Sequence, residues 1–445
     1  SDTLLLNEVL DTQSLTISGR DGDHNVRVDF DGSATDDTLD VTLDNAVIDN
    51  LFSPDSVEVV NLTTAGDGSS SLDIDFDDNA AFLDDDADIN PRGSGELETV
   101  NVSGDQDLSL DIDAGSFDGN VETLKVDGSG LNDNTLNVEI ENFTSKFDVT
   151  GGSGDGDTLE VDIGDRNISD DVKTTDIERF IVDGVTGTKS VDLENADGVS
   201  EVGLQGNVAG RVNFVETADN LTVSLTTSLG EAGDEFGLSF IPDGGTGSFN
   251  TGDDDVPGAG DLGAQNIGDV EVQVAGASGN NPADSVTVEI NNRGVDTGAE
   301  SSKGDDNTAE AAITTGDIIV DDVKDVTVNA ADGDVHIQGA IEADAAETFT
   351  FTADEDLILD GRDLLDGDSG VFGQFTLGGN TGATNALGEA DTVESIDASG
   401  VSGQFFARLV DNVENDVTIT GAEGNDTLSL GDQSSTGSDA ANEIT

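Results

Sequence analysis

Apolar and polar residues alternate along most of this chain in short runs. Examples are Leu39-Asp40-Val41-Thr42-Leu43, Leu72-Asp73-Ile74-Asp75-Phe76 and Leu108-Ser109-Leu110-Asp111-Ile112. Others are Leu136-Asn137-Val138-Glu139-Ile140, Leu159-Glu160-Val161-Asp162-Ile163, Val286-Thr287-Val288-Glu289-Ile290 and Val417-Thr418-Ile419-Thr420. Period two gives a strand with one apolar and one polar face. Clusters of Gly, Asp, Asn and Ser punctuate these runs about every 10–12 residues, the rhythm of all-β folds. No stretch carries the 3.6-residue period of an amphipathic helix.

Two short motifs recur. One is an apolar-Glu-x-apolar-x-apolar strand at Val57 to Leu62, Leu97 to Val102, Val121 to Val126 and Ile177 to Val182. The other is a turn running into a strand, Asp-Thr-Leu or a near relative. It stands at Asp37-Thr38-Leu39, Asn134-Thr135-Leu136, Asp157-Thr158-Leu159, Asp284-Ser285-Val286, Asp391-Thr392-Val393 and Asp426-Thr427-Leu428. Repeated short β units predict a β-solenoid or β-helix-like fold in which each turn buries its face against the next. A row of β-sandwich modules is the alternative. From 121 to 225 the strand spacing implies turns of about 20–25 residues. The Gly- and Asp-rich segment 242–266 divides a β-repeat domain, 1–241, from a second, 267–445. A decorated loop in one continuous solenoid would look the same. A second polar stretch covers 292–310.

Composition changes this picture in several ways. The 445 residues carry 97 Asp+Glu against 15 Lys+Arg, a net charge of −82, with 34% hydrophobic residues. High charge and modest hydrophobicity border on the composition of disordered chains, and the strand rhythm argues for a folded one. The charge excludes nucleic acid and anionic membranes as partners, because both need Lys and Arg to displace counterions. No apolar run is long enough to span a membrane as a helix. With no Cys, disulfide frameworks, Cys-zinc sites and thiol nucleophiles are excluded. The chain starts at Ser1 with no basic and apolar leader, so a removed leader or another export route is expected.

The candidate chemistry is metal binding. Gly421-Ala422-Glu423-Gly424-Asn425-Asp426-Thr427-Leu428-Ser429 matches the calcium nonapeptide G-G-x-G-x-D-x-U-x with one Gly replaced by Ala. Gly151-Gly152-Ser153-Gly154-Asp155-Gly156-Asp157-Thr158-Leu159 is a second copy with one inserted residue. Glycine permits turns that aim backbone carbonyls inward. The Asp adds a hard anionic oxygen, and Ca2+ takes six to eight such oxygens. Gly152, Gly154, Asp155 and Asp157 are therefore candidate metal residues, as are Gly421, Gly424, Asn425 and Asp426. Asp84, Asp86, Asp88 and Asn90 alternate in the manner of the front of an EF-hand, but no Gly holds the sixth place and no Glu the twelfth. They remain a carboxylate cluster, as do Asp36 and Asp37. Asp21/Asp23, Asp253/Asp254/Asp255 and Asp366/Asp368 read more simply as solvated acidic loops.

Ile396-Asp397-Ala398-Ser399-Gly400, then Val417 to Gly421 leading into Gly424-Asn425-Asp426-Thr427-Leu428, resembles the repeats of RTX-type bacterial surface-layer (S-layer) proteins. The resemblance is clearest over 390–432 and looser over 95–165. It implies an exported, cysteine-free protein of calcium-bound β repeats that assembles with identical copies into a layer outside the cell. It also implies that Gly421, Gly424, Asn425 and Asp426 form one calcium turn, and Gly152, Gly154, Asp155 and Asp157 another. The chain departs from secreted RTX toxins in having no long uninterrupted run of nonapeptides.

Enzyme chemistry finds little support. Nine Arg and six Lys are scattered singly, His24 and His336 lie in alternating segments, and Trp and Tyr platforms for sugar rings are missing. Acids are so frequent that no chosen pair marks a glycosidase. Six Asn-x-Ser/Thr sequons, at Asn61, Asn101, Asn142, Asn167, Asn220 and Asn425, are what chance gives in a chain of this composition. The expected function is a structural, calcium-dependent, self-assembling extracellular protein of a surface layer or filament. The alternative is a calcium-stabilised adhesin segment that binds glycans, such as a cell-surface glycan, or other cells. The charge in excess of metal sites points to adaptation to high salt.

Overall fold

In the computed structural model, residues 3–226 and 265–444 are described. The segments 31–36, 75–96, 114–122, 292–312, 360–392, 410–417 and 431–442, and shorter turn segments, are outside that description. The metal candidates Asp36, Asp84, Asp86, Asp88 and Asn425 fall in these segments, as do 242–264 of the expected boundary. The described residues form strands and no α-helix, so the fold is all-β with long parallel sheets. Every described strand pairing is parallel, an arrangement compatible with a β-helix-like fold. No helix among the described residues is long and apolar enough to cross a membrane.

The chain forms two compact units that interleave at 184–201. The first holds 1–183 and 192–201, the second 184–191 and 202–445.

In the first unit consecutive strands go to different sheets, and each pairs with the strand two places on. One sheet stacks Gln13–Ser18, Thr38–Asp44, Val59–Ala65, Thr99–Gly104, Thr123–Leu131, Lys146–Thr150 and Val172–Thr175. The other includes Val47–Asp55, Ser70–Ile74, Leu108–Asp113, Leu136–Glu141 and Thr158–Gly164. The register converts the period-two pattern into columns. Leu39, Val60, Val100 and Val126 stack in one buried column. Leu72, Leu110, Val138 and Leu159 stack in another, and Ile74, Ile112, Ile140 and Val161 in a third. Each of these side chains is at most 1% exposed. Burying a Val, Leu or Ile is worth about 1.5–3 kcal/mol, which makes such columns the main source of cohesion.

The polar face uses the same register. Asn101 Nδ2 donates to Asn61 Oδ1 at 2.9 Å, and Asn61 Nδ2 donates to Asp40 Oδ1 at 2.7 Å. Two of the six sequon asparagines are thus rungs of a side-chain ladder across three strands.

Among the described residues, the second unit has three sheets. One stacks Leu221–Thr226, Ala283–Asn291, Val323–Ala331, Thr348–Ala353, Ser395–Val401 and Thr418–Thr420. Another holds Gln265–Ile267, Ile313–Thr315, Val335–Ile337, Leu357–Leu359, Phe405–Leu409 and Thr427–Leu430, and the third includes Arg211–Thr217 and Asp269–Val274. Val223, Val288, Val328 and Phe351 form a buried column of the first of these. The Phe351 ring lies 5.5 Å from that of Phe405, on a different sheet, and 6.4 Å from that of Phe349.

Candidate functional site: Gly/Asp turns and carboxylate columns

The two sequence motifs turn out to be partners on neighbouring strands. Asp157 opens the strand Thr158–Gly164, and its N–H donates to Glu178 Oε2 at 2.8 Å, 21 residues further on. Asp37, at the head of Thr38–Asp44, donates its N–H to Glu58 Oε2, again 21 residues on. In both places the Asp carbonyl accepts the N–H groups of that Glu and of the residue after it. The Glu of one motif therefore caps the amide that starts the other. Sequence reading found both motifs and missed their pairing, although the constant 21-residue offset carries the signal.

The Asp side chains turn inward. Asp157 is fully buried. Its Oδ1 accepts the Leu136 N–H at 2.6 Å and its Oδ2 the Gly152 N–H at 2.7 Å. Burial pushes its carboxyl above the usual carboxylate range, against the two amide donors that favour the charged form. Asp426 repeats the pattern in the second unit. Its Oδ1 accepts the Phe405 N–H at 3.2 Å, 21 residues back, and its Oδ2 the Ala422 N–H at 2.8 Å. Asp426 is exposed where Asp157 is buried.

Of the other candidates, Gly152 is buried, Gly154 is partly exposed and Asp155 faces solvent. Gly421 is partly exposed and Gly424 is exposed. Asp37 is 2% exposed. No group of three or more His, Asp or Glu side chains converges on a common metal position among the described residues.

A second arrangement was not foreseen. On the outward face of the first unit, Asp73, Asp111, Glu139 and Glu160 occupy one register column on four neighbouring strands. Asp113 and Glu141 pair in the column beside it. Parallel strands lie about 4.8 Å apart, so like charges are held at close range. Burial, then the neighbouring Glu160 and Asp111, push Glu139 up to about 8. Burial, then Asp183 and Asp111, push Glu160 to about 7, with Arg179 opposing. Burial and Asp113 likewise raise Glu141.

Arg179 faces this wall and is itself paired. Its Nε and Nη2 donate to the two carboxylate oxygens of Glu201 at 3.0 and 3.1 Å. With the Arg179 side chain 39% exposed, the pair is worth about 0.5–1 kcal/mol. Arg179→Ala should lower the melting temperature of the protein by no more than about 3 °C. A thermal scan checks this, and a larger drop would make the pair a structural pillar.

A scan against known protein families and searches of characterised proteins and of solved structures find no match to this chain.

Proposed function

We propose that the chain is a non-catalytic structural protein, a β-solenoid that assembles with identical copies into an extracellular layer or filament. The observation that carries this reading is the parallel stacking of the described strands, with outward carboxylates in register in the first unit. Such a body gains cohesion along its stack, and its surface is repulsive until cations neutralise it. Calcium, with the high salt implied by the composition, is the proposed counter-ion. It favours the compact form because only that form gathers the charges. Cell-surface location follows from the same reading, which calls for neither nucleic acid nor membrane insertion.

A second reading, an adhesin segment, draws on the second unit. There Thr222, Thr287, Thr327 and Thr350 give an uncharged stretch of an outward column, which continues to Asp397 on the next strand, and that stretch suits a neutral glycan.

Negative-stain microscopy separates the two. With calcium, the purified protein should form sheets or fibres, and excess EDTA at low salt should dissolve them and lower the melting temperature. Dispersed particles that adsorb to glycan beads would favour the adhesin. Assemblies and melting temperature indifferent to EDTA at low salt would remove calcium from the account.

A further inference from the structure

We infer that the two Gly/Asp turns are closed by hydrogen bonds alone, the Asp carboxylate occupying the role that a calcium ion has in nonapeptide repeats. The inference concerns how the turns of the proposed scaffold are held, and it moves any calcium dependence away from them.

The two turns lie in different units and are built alike. In each, one carboxylate oxygen takes the N–H of a residue 21 positions back, tying the turn to the preceding strand. The other takes the N–H of the residue after the leading glycine, Gly152 or Ala422, closing the turn on itself. The leading glycines, Gly151 and Gly421, leave room for this closure. A Cβ on Gly151 would run into the Asp176 carbonyl oxygen and stand 2.6 Å from Asp157 Oδ2, and one on Gly421 would run into Asp426 Oδ2. The motif Gly-to-Asp spacing is therefore explained by the carboxylate reaching back over its own turn.

A calcium ion between stacked turns needs six to eight oxygens about 2.3–2.6 Å away, and room for itself. Around Asp157 the stacked turn already touches its neighbour. Ser153 N–H donates to the Leu131 carbonyl at 3.3 Å, and Ser153 Oγ accepts the Asp133 N–H at 3.2 Å. A Cβ on Gly152 or Gly154 would lie 3.0 Å from the Asn134 carbonyl oxygen. The space for an ion is taken by backbone, and the anionic oxygens point at amide protons rather than into a cage of other oxygens. The candidate residues of the Asp157 turn therefore do not fit a calcium site in this arrangement, and the Asp426 turn shares its two carboxylate–amide bonds.

The test uses the full chain in about 1 M sodium chloride, where monovalent salt screens the surface acids and chelation removes only specifically held ions. Asp157→Asn and Asp426→Asn each put an NH2 group against an amide that needs an acceptor. Each should lower the melting temperature by several degrees, and by the same amount in calcium and in EDTA. Hydrogen exchange of the wild type covers the case in which a variant does not fold. The Leu136 and Gly152 amides should keep the same protection in calcium and in EDTA. Destabilisation seen only in calcium, or selective loss of protection at these amides on chelation, would overturn the inference. Failure to form sheets or fibres even in calcium, with protection unchanged, would instead sink the layer reading and leave this one standing.

Discussion

Phe351→Ala should be the most damaging single substitution among those considered, lowering stability by about 3–5 kcal/mol. Phe351 is buried under 2% and meets Phe349 and Phe405. It joins two sheets of the second unit, so its removal takes both transfer energy and cross-sheet contacts. On one side Val328 is held beside it by regular pairing; on the other the register to Ser395–Val401 shifts between Thr350 and Thr352, so Phe351 lies at an irregular step of the sheet. For a body of this size the loss corresponds to a melting temperature lower by roughly 8–15 °C. Phe351→Leu retains most of the volume and should lose less than half as much. Equal losses for Ala and Leu would mean that ring geometry, and not volume, is what the site requires.

The second large effect is a dependence on pH that runs opposite to ordinary acid denaturation. Glu139 and Glu160 have folded values of about 8 and about 7 against an ordinary 4.5. A raised carboxyl binds its proton more tightly in the folded unit than in the unfolded chain. The stability it contributes is complete below about pH 4.5 and is lost as pH rises through 7 to 8. Burial is the main cause at both; Glu160, Asp111, Glu141 and Asp183 add to it at Glu139, and Asp183 and Asp111 at Glu160, where Arg179 opposes. Water at this partly exposed face screens the repulsion, which leaves about 2–3 kcal/mol for the pair. At low salt the melting temperature should fall by roughly 5–10 °C between pH 5 and pH 9. The double variant Glu139→Gln, Glu160→Gln should flatten the profile and be the more stable protein at pH 9. A wild type that is as stable at pH 9 as at pH 5 would show that the column is relaxed by water or ions.

Much of the fold was legible because period two survives any surrounding. The run Leu136 to Ile140 announces a strand with Leu136, Val138 and Ile140 inside, and that is where they lie. The turn spacing expected over 121–225 matches Val126 stacked on Val149 and Val138 on Leu159. Register was not legible. Alternation says that Asp111, Glu139 and Glu160 point outward, but only the pairing of strands says that they share a column. The same gap hid the partnership of Asp157 with Glu178. The compact units divide at 184–201, while the break that composition marks at 242–266 lies, up to residue 264, outside the described residues. At the Gly/Asp turns the sequence specifies glycines and an inward acid. Amide capping and ion coordination ask for the same residues, so geometry alone separates them.

The acidic columns also guard the fidelity of folding. Each stacked strand meets neighbours that offer the same apolar rhythm, and nothing in an all-apolar strip would stop one from docking a residue out of step. Here a slip of one place would drive Asn137, Glu139 and Glu141 into the interior and leave Leu136, Val138 and Ile140 in water. Burying even one unpartnered carboxylate costs more than any column regains by the slip. The charge that strains the finished surface thus makes any strand docked one place out of step worse than the native one, and so narrows the orders open to a chain of many near-identical rungs.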